Sequence, residues 1–293
     1  MDKRIFQQNK IAIVYDFDGT LSPKPMQEYS VLPELGIAAK DFWKSVGIEA
    51  KKTESEGMLV YMRLLIEEAE TKKIHLGKKE LEKLASNIEY FPGVETWFPR
   101  INDYVSGLGN KKTKVEHYII SAGMKEILEG VSIKKYFKNI FASEYHFNHH
   151  GVAVFPKQLI TDTTKTQFLF RINKGKQKQT ENINQHMPEQ ERPIPFSNII
   201  YIGDGLTDVP SMTVTKMNGG HSIAVYKPKS SSGSKVCKEL LKAERVHFIA
   251  PADYSKGGVL EKRMELLLKS VVSSIDYERE LYACRREYDL LQN

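Results

Sequence analysis

The sequence predicts an α/β fold: a Rossmann-like parallel sheet with helices on both faces and an inserted all-helical cap. Short apolar runs recur along the chain, and such runs are typical of strands that are covered on both faces. Helical patterns alternate with these runs, which indicates a parallel sheet. The stretch from residue 24 to residue 96 breaks the alternation, because it shows helical periodicity and no convincing strand.

The core strands are predicted from five apolar runs. These runs cover residues 11–15, 118–120, 199–202, 222–225 and 246–249. Phe141 with its neighbours and residues 152–154 are weaker candidates. Core helices are predicted at residues 125–131, 163–173, 208–217 and 259–291, the last range holding one or two long helices.

The inserted segment has helical patterns at residues 39–46, 58–69 and 78–88. Phe91-Pro92-Gly93 marks its end, because Pro and Gly interrupt regular structure. We therefore predict a discontinuous core of residues 1–23 and 97–293 and a helical cap of residues 24–96. Trp43, Met58, Tyr61 and Met62 follow helical spacing, which favours packing inside the cap over substrate contact.

The composition is that of a globular chain without a membrane partner. Of its 293 residues 41% are hydrophobic, which allows a sizeable core without cross-links. No apolar run approaches the roughly 20 residues of a membrane-spanning helix. The N-terminal apolar stretch runs into carboxylates, unlike a signal peptide. Cys237 and Cys284 form neither a disulfide framework nor a metal motif, so we expect a reducing, cytoplasmic location.

The net charge of +6 and the pI near 9.0 are compatible with an anionic partner. The one concentrated basic stretch is Lys174-Gly175-Lys176-Gln177-Lys178, inside a polar insertion at residues 174–195. Nucleic-acid binding is disfavoured there, because no recognised module or interleaved aromatic residues accompany the lysines.

Polar residues follow three predicted strands at the point where each strand ends. Asp16-Phe17-Asp18-Gly19-Thr20 follows the first, Ser121-Ala122-Gly123 the second, and Gly203-Asp204-Gly205-Leu206-Thr207-Asp208 the third. In open α/β sheets, ligands bind outside the carboxyl ends of the strands. We therefore expect these segments to form one site, together with Lys165 at the start of a predicted helix.

These residue types suit phosphoryl transfer, which depends on positioning and charge stabilisation. A carboxylate can act as nucleophile through an acyl phosphate, and Asp16 is the candidate. Asp18 lies two residues on, on the same side of an extended chain, and is the candidate general acid and base. Mg²⁺ bound by Asp16 and Asp204 would offset the repulsion between carboxylate and phosphate.

The phosphate itself would be held by the remaining residues of the site. Lys165 and the Ser121 hydroxyl would contact its non-bridging oxygens. Backbone N–H groups around Gly19 and Ala122-Gly123 could complete an anion-binding nest. Ser121 could also serve only as a helix N-cap, although the two roles are compatible because helix N-termini bind anions.

In these segments the chain resembles the haloacid dehalogenase-like hydrolase superfamily, in particular its phosphoserine-phosphatase-like branch with a helical cap. The resemblance lies in four ordered motifs and covers residues 9–23 and 97–260: DFDGT at 16–20, Ser121, Lys165 and GDGxxD at 203–208. It implies a nucleophilic Asp16, an acid/base Asp18, phosphate binding by Ser121 and Lys165, and support from Thr20 and Asp208. It also implies Mg²⁺ binding by Asp16, the Asp18 backbone carbonyl and Asp204, with Asp208 orienting Lys165 or the metal's water shell.

Two features depart from the family pattern. The insertion at 174–195 lengthens the interval between the lysine motif and Asp204, which leaves Lys157 as a rival to Lys165. The cap also lacks the Glu that phosphoserine phosphatases place shortly after the first motif, since Glu28 is offset. Serine phosphate is therefore not implied as the substrate.

The sequence predicts a magnesium-dependent phosphatase that acts on a small phosphorylated metabolite, as a monomer or homodimer. A phosphomutase or phosphotransferase would use the same site, and a non-catalytic module could bind phosphate or a partner with it. A haloacid dehalogenase would need neither Asp18 nor a metal. His146, His149 and His150 could hold zinc by ligand type, but a surface hairpin turn before Gly151 fits their spacing better.

Overall fold

The computed structural model describes residues 6–108 and 112–292, which contain a seven-stranded sheet. Its strands are β1 (Lys10–Tyr15), β2 (Lys114–Met124), β3 (Phe137–Phe147), β4 (Ala153–Gln158), β5 (Ile199–Gly203), β6 (His221–Tyr226) and β7 (Phe248–Pro251). Their spatial order is β4-β3-β2-β1-β5-β6-β7. All neighbouring strands are parallel except β3 and β4, which form an antiparallel hairpin at one edge.

β1 lies at the centre of the sheet because its residues are apolar on both faces. Its register places Val14 opposite Tyr118 of β2 and opposite Tyr201 of β5. Alternate side chains of a strand point to opposite faces. Ile11, Ile13 and Tyr15 accordingly join one buried cluster, whereas Ala12 and Val14 join a second cluster on the other face.

Helices of the core cover both faces of the sheet, as predicted. They are α6 (Val94–Leu108), α7 (Lys125–Leu128), α8 (Lys165–Asn173), α9 (Val209–Met217), α10 (Ser231–Lys242) and α11 (Val259–Gln292). α6 and α11 pack on the Ile13 side, and α8, α9 and α10 pack on the Val14 side. The predicted Rossmann-like α/β fold is confirmed.

Residues 24–96 lie between β1 and β2, and the structure describes all of them. They contain helices and no strand. Its helices are α1 (Met26–Tyr29), α2 (Val31–Glu34), α3 (Ala39–Thr53), α4 (Gly57–Thr71) and α5 (Lys78–Leu84). Phe42 of α3 and Leu65 of α4 are buried in the same apolar cluster as the Ile13 face of the sheet. We call this segment the cap; its domain boundaries stay a prediction.

Several element boundaries differ from the prediction. β2 does not end before Ser121 but continues to Met124, because an irregularity after Ile120 shifts its register and brings Met124 opposite Ser143 of β3. β7 begins at Phe248, two residues later than its predicted start. The helix predicted at 125–131 ends at Leu128, and the helices α6 and α10 had not been predicted.

The basic side chains at the start of the polar insertion are directed into the insertion itself. Arg171 donates to the carbonyl of Lys178 at 2.6 Å, and Lys174 donates to the carbonyl of Ile183 at 2.6 Å. Lys176 likewise reaches the carbonyl of Asn182 at 2.9 Å. Lys174 and Lys176, which suggested a possible nucleic-acid site, therefore stabilise the conformation of the insertion.

Within residues 6–108 and 112–292, no helix has the length and apolar character needed to cross a bilayer.

A buried chain of hydrogen bonds holds the carboxyl end of β1. The Trp97 indole N–H donates to the Tyr15 hydroxyl at 2.9 Å, and this hydroxyl lies 3.1 Å from Nδ1 of His117. Nε2 of His117 lies 3.1 Å from the Asn102 side-chain oxygen. A neutral ring with its proton on Nε2 satisfies all three contacts. Burial lowers the pKa of His117 to about 3.

The first prediction is a stability change with pH that depends on His117. Below pH 6.5 the His117 ring binds a proton in the unfolded state but stays neutral in the folded state. The free energy of unfolding therefore decreases as the pH falls from 6.5 towards about 3. The loss should be about 1.4 kcal/mol per pH unit. Urea unfolding of the parent and of His117→Asn between about pH 4.5 and 5.5, well below the ordinary pKa of histidine, should show slopes that differ by this amount. Equal slopes for the parent and for His117→Asn would contradict the prediction.

Candidate active site

Asp16 directly follows β1, and the neighbouring strand β5 sets its position. The Asp16 backbone N–H donates to the carbonyl of Ile202 at 2.9 Å, so the first acidic loop begins where the two parallel strands are still paired. Asp16 is buried, with 5% of its surface exposed. Asp204 directly follows β5, and the two aspartates therefore lie at the same edge of the sheet.

The turn after Asp16 is tight and brings the two acidic loops into contact. The Phe17 carbonyl accepts the N–H groups of Thr20 and Leu21 at 3.2 and 2.8 Å. Gly19 has a φ of +78°, in the left-handed region that favours glycine. A Cβ atom there would lie 2.1 Å from Oδ2 of Asp204. Glycine is therefore required at position 19, because the left-handed φ disfavours other residues and a Cβ atom would overlap the Asp204 carboxylate.

Lys165 begins α8 and joins two of the carboxylates. Its Nζ lies 3.0 Å from Oδ1 of Asp16 and 2.7 Å from Oδ1 of Asp208. Only 1% of the Lys165 surface is exposed. Burial alone would lower the pKa of Lys165, but the charges of Asp16 and Asp208 outweigh that effect and raise the pKa well above its ordinary value. Lys165 is therefore a permanent cation in this site.

Asp208 is held from three directions. Its Oδ1 also accepts the hydroxyl of Tyr201 at 2.7 Å, and its Oδ2 accepts the backbone N–H of Asp204 at 3.1 Å. With these bonds and Lys165, both Asp208 oxygens already have donors. Asp208 is thus suited to orienting Lys165 and the Asp204 loop.

The arrangement fits a divalent cation. Carboxylate oxygens of Asp16, Asp204 and Asp208 all lie within 4.8 Å of one another. Because the donors around Asp208 occupy its oxygens, Asp16 and Asp204 are the two side chains that remain for a metal. Hard oxygen ligands of this kind are those that Mg²⁺ prefers.

Burial raises the pKa values of the two aspartates that would hold a metal. The pKa of Asp16 rises to about 7, although the Lys165 ammonium opposes the shift. Burial, followed by the charges of Asp208 and Asp16, raises the pKa of Asp204 to about 8. A bound cation would favour the ionised forms of both carboxylates.

Asp18 connects the acidic loop with the cap. Its Oδ1 accepts the backbone N–H of Met26 in α1 at 2.9 Å. Burial and then the charge of Asp16 raise the pKa of Asp18 well above its ordinary value, although the bond from Met26 opposes this. A carboxyl group in these surroundings keeps its proton more readily than an exposed aspartate does.

The Ser121–Gly123 segment, in the irregular last part of β2, lies under residues of the cap. Oγ of Ser121 accepts the Gly123 N–H at 3.0 Å, and the carbonyl of Ala122 accepts the Tyr61 hydroxyl at 3.2 Å. Sδ of Met26 accepts the N–H of Met124 at 3.2 Å. Tyr61, predicted to be a packing residue, is buried in the cap and also reaches this segment.

The other sequence candidates lie elsewhere or contribute no side-chain contact. Lys157 pairs with Glu144 at 3.0 Å on the β3–β4 hairpin, away from Asp16. Glu28 accepts the indole N–H of Trp43 at 3.0 Å within the cap. Thr20 is buried, and its carbonyl accepts the Tyr254 hydroxyl at 2.9 Å.

The three histidines line no acidic or thiol cluster. His146, His149 and His150 are exposed around the turn of the β3–β4 hairpin, where Asn148 accepts the N–H of His150 at 2.9 Å. Among the residues that the structure describes, the one group able to hold a metal by side-chain geometry is Asp16, Asp204 and Asp208.

Sequence reasoning missed Tyr201, Gln27 and Met26. Tyr201 was assigned to a strand core, and nothing in an apolar run signals that its hydroxyl bonds an aspartate seven residues later. Met26 and Gln27 begin a four-residue helix, α1, which is too short to show periodicity. The only available signal was their position shortly after the first acidic motif.

Solved structures with this architecture include a HAD-family hydrolase of Salmonella enterica serovar Typhi. It is 18% identical, with a TM-score of 0.57, and the match covers 90% of this chain and 71% of that chain. A phosphoserine phosphatase in a phospho-aspartyl intermediate analogue form is 16% identical, with a TM-score of 0.54. The match covers 88% of this chain and 99% of that chain. The fold is that of the haloacid dehalogenase-like hydrolases.

Two further proteins are similar to this chain. An unliganded probable phosphoserine phosphatase of Vibrio cholerae is 13% identical, with a TM-score of 0.55, covering 92% of this chain and 68% of that one. An uncharacterised protein of Borreliella burgdorferi is 29% identical over 275 residues, 86% of this chain and 94% of that protein. No family model matches the chain.

The second prediction is an energetic coupling between Tyr201 and Asp208. Tyr201→Phe removes one buried hydrogen bond to a charged group and should cost about 1.5–3 kcal/mol of unfolding free energy. In a double-mutant cycle with Asp208→Ala, the two losses should not add, because both variants remove the same contact. Tyr118→Phe is the matched control, since the Tyr118 hydroxyl bonds Glu116, and its loss should add to that of Asp208→Ala. Additive losses for Tyr201→Phe would contradict the contact.

Proposed function

We propose that this protein is a magnesium-dependent phosphatase that hydrolyses a phosphate monoester through an aspartyl-phosphate on Asp16. The observation that carries the proposal is the position of Lys165, 3.0 Å from Asp16 and 2.7 Å from Asp208, beside the Asp204 loop. A buried nucleophile candidate, a fixed cation and a metal-ligand pair thus meet where ligands bind in open α/β sheets. The phosphatases among proteins of similar fold support the same reaction class.

In the first step, an oxygen of Asp16 attacks phosphorus and the bond from phosphorus to the leaving oxygen breaks. Lys165 reduces the repulsion between the Asp16 carboxylate and the phosphate dianion, because it contacts the carboxylate directly. Asp18 gives its proton to the leaving oxygen. Its raised pKa suits this role, since the group must be protonated when the ester arrives.

In the second step, water attacks phosphorus of the acyl phosphate. The ionised Asp18 takes a proton from this water, the bond from phosphorus to Asp16 breaks, and inorganic phosphate leaves. Ser121, the Ala122 N–H and Lys165 hold the non-bridging oxygens in both steps. The N–H groups of Gly19 and Gly123 do not take part, because they already donate to the Ser22 carbonyl and to Oγ of Ser121, at 2.7 and 3.0 Å. Asp208 and Tyr201 keep Lys165 in place.

Mg²⁺ would be held by Asp16, the Asp18 backbone carbonyl and Asp204. When bound, it would neutralise charge on the carboxylates and on the phosphoryl oxygens. The contact between Gly19 and Asp204 keeps the two acidic loops close enough for this shared role.

The third prediction concerns the two carboxyl groups of the first loop. Asp16→Asn should abolish phosphate release from p-nitrophenyl phosphate, because an amide cannot form the covalent intermediate. Asp18→Asn should lower kcat by roughly 10²–10⁴-fold through the lost proton transfer. Both variants should keep the parent's circular dichroism spectrum. Asp162→Asn, on the neighbouring loop, is the control and should retain most activity. Near-parental turnover by Asp16→Asn would refute the assignment.

The fourth prediction is a requirement for a divalent cation. Chelation should remove phosphate release, and added Mg²⁺ should restore it. Asp204→Asn should raise the Mg²⁺ concentration that gives half-maximal rate, since it removes one of two side-chain ligands. Undiminished turnover by the chelated parent protein would show that the metal assignment is wrong. Measuring inorganic phosphate, and not only loss of ester, separates hydrolysis from phosphoryl transfer to another acceptor.

A further inference from the structure

We propose that Tyr61 of the cap is a positioning residue for phosphate binding, and that it orients the Ser121 hydroxyl through one peptide group. This inference rests on the proposed function, in which Ser121 and the Ala122 N–H hold phosphoryl oxygens. It adds that residues 121–123, the phosphate-binding segment, take their working geometry from the cap. It follows from two hydrogen bonds to the same peptide group and from the irregular end of β2.

The sheet pairs the phosphate-binding segment only irregularly. The register of β2 with β1 ends at Ile119. In the register of β2 with β3, the described partners pass from Ile120 directly to Met124. Backbone groups of a central strand are normally held by ladders on both of its sides. The residues between Ile120 and Met124 therefore depend on other contacts, and the cap provides them.

The peptide group between Ala122 and Gly123 is held at both ends. Its carbonyl accepts the Tyr61 hydroxyl at 3.2 Å, and its N–H donates to Oγ of Ser121 at 3.0 Å. Because a peptide group is planar, fixing the carbonyl also fixes the direction of the N–H. A hydroxyl oxygen that accepts this N–H keeps its own proton for another acceptor, which in the proposed site is a phosphoryl oxygen. Tyr61 thus acts on Ser121 through a rigid unit.

The Tyr61 hydroxyl is itself held in place. Only 1% of the Tyr61 surface is exposed, and its ring packs edge to face against Trp43 with ring centroids 5.8 Å apart. Burial raises the pKa of the Tyr61 hydroxyl, although a hydrogen bond with the Gln27 side chain opposes the rise. The hydroxyl therefore stays protonated at neutral pH and remains a donor to the Ala122 carbonyl.

Met26, the first residue of α1, also contacts the segment. Its Sδ accepts the N–H of Met124 at 3.2 Å, and a Cβ atom added at Gly123 would lie 2.0 Å from its Cε. The N–H of Met26 donates to Asp18 at 2.9 Å. The cap therefore packs closely against the phosphate-binding segment and also holds the acid/base candidate.

A second buried tyrosine separates this positioning role from simple attachment of the cap. Tyr145 of β3 donates its hydroxyl to the carbonyl of Met62 at 2.8 Å, so it also joins α4 to the core, at the residue next to Tyr61. Both tyrosines have 1% of their surface exposed. Within the described part of the chain, the Tyr145 hydroxyl makes no hydrogen bond to residues 121–123. Tyr145→Phe therefore removes a comparable bond between cap and core and spares the phosphate-binding segment.

The test measures competitive inhibition by inorganic phosphate, which has no leaving group, in the hydrolysis of p-nitrophenyl phosphate with Mg²⁺. Tyr61→Phe should raise the inhibition constant about three- to tenfold and lower kcat/KM by a similar factor. The kcat/KM for glycerol 3-phosphate should fall by the same factor, because both esters share the phosphoryl group. Tyr145→Phe is the matched control and should leave the inhibition constant near the parent's value. Each variant removes one oxygen atom and should keep the parent's circular dichroism spectrum.

Two further measurements assign the effect to the named contact. In a Ser121→Ala background, Tyr61→Phe should raise the inhibition constant by a smaller factor than in the parent, because the hydroxyl that it orients is absent. Hydrogen exchange followed by mass spectrometry needs no activity. The amides of residues 121–124 should exchange faster in Tyr61→Phe than in the parent and in Tyr145→Phe.

Several results overturn the inference separately from the proposed function. An unchanged inhibition constant in Tyr61→Phe, or an equal increase in Tyr145→Phe, contradicts the inference and leaves the phosphatase standing. Equal factors with and without the Ser121 hydroxyl show that Tyr61 does not act through it. Parental exchange of residues 121–124 in Tyr61→Phe shows that this residue does not hold the segment. Absence of any turnover by the parent with Mg²⁺ rejects the proposed function and this inference with it.

Discussion

Lys165 lies between the carboxylates of Asp16 and Asp208, and the rest of the site depends on this buried contact. Three segments that are distant in sequence meet through it: the loop after β1, the start of α8 and the turn after β5. Removing one partner from such a group would leave a buried charge without compensation, which is strongly unfavourable. The contact can persist because β1 and β5 are adjacent parallel strands whose ends lie together.

The sheet and the cap contribute different things to the site. The sheet fixes the acidic residues, since Asp16 and Asp204 each directly follow the buried carboxyl end of a strand. The cap reaches the same place through Met26, whose N–H bonds Asp18, and Tyr61, whose hydroxyl bonds the Ala122 carbonyl. In our account the core therefore carries the reacting groups, and the cap holds Asp18 and the phosphate-binding segment in position.

Much of this arrangement could be predicted from sequence, for physical reasons. Apolar runs that stop at aspartates indicate strand ends, and parallel strand ends share an edge, so Asp16 and Asp204 were expected to lie together. The sequence favours Lys165 but leaves Lys157 as a rival, because both precede or begin polar segments of ordinary composition; the fold shows that Lys157 pairs with Glu144. Gln27 was out of reach, since burial of a polar side chain depends on how the cap packs on the core. The extension of β2 past Ser121 results from a register irregularity that no local pattern encodes.

The most direct test of the central claim is the position of a bound metal. A crystal structure of the unmodified protein grown with Mn²⁺, a Mg²⁺ substitute with a strong anomalous signal, would locate it. We predict one anomalous peak that the side chains of Asp16 and Asp204 both ligate, with Lys165 still between Asp16 and Asp208. A peak elsewhere at saturating Mn²⁺, with Asp16 and Asp204 sharing no ion, would contradict the account.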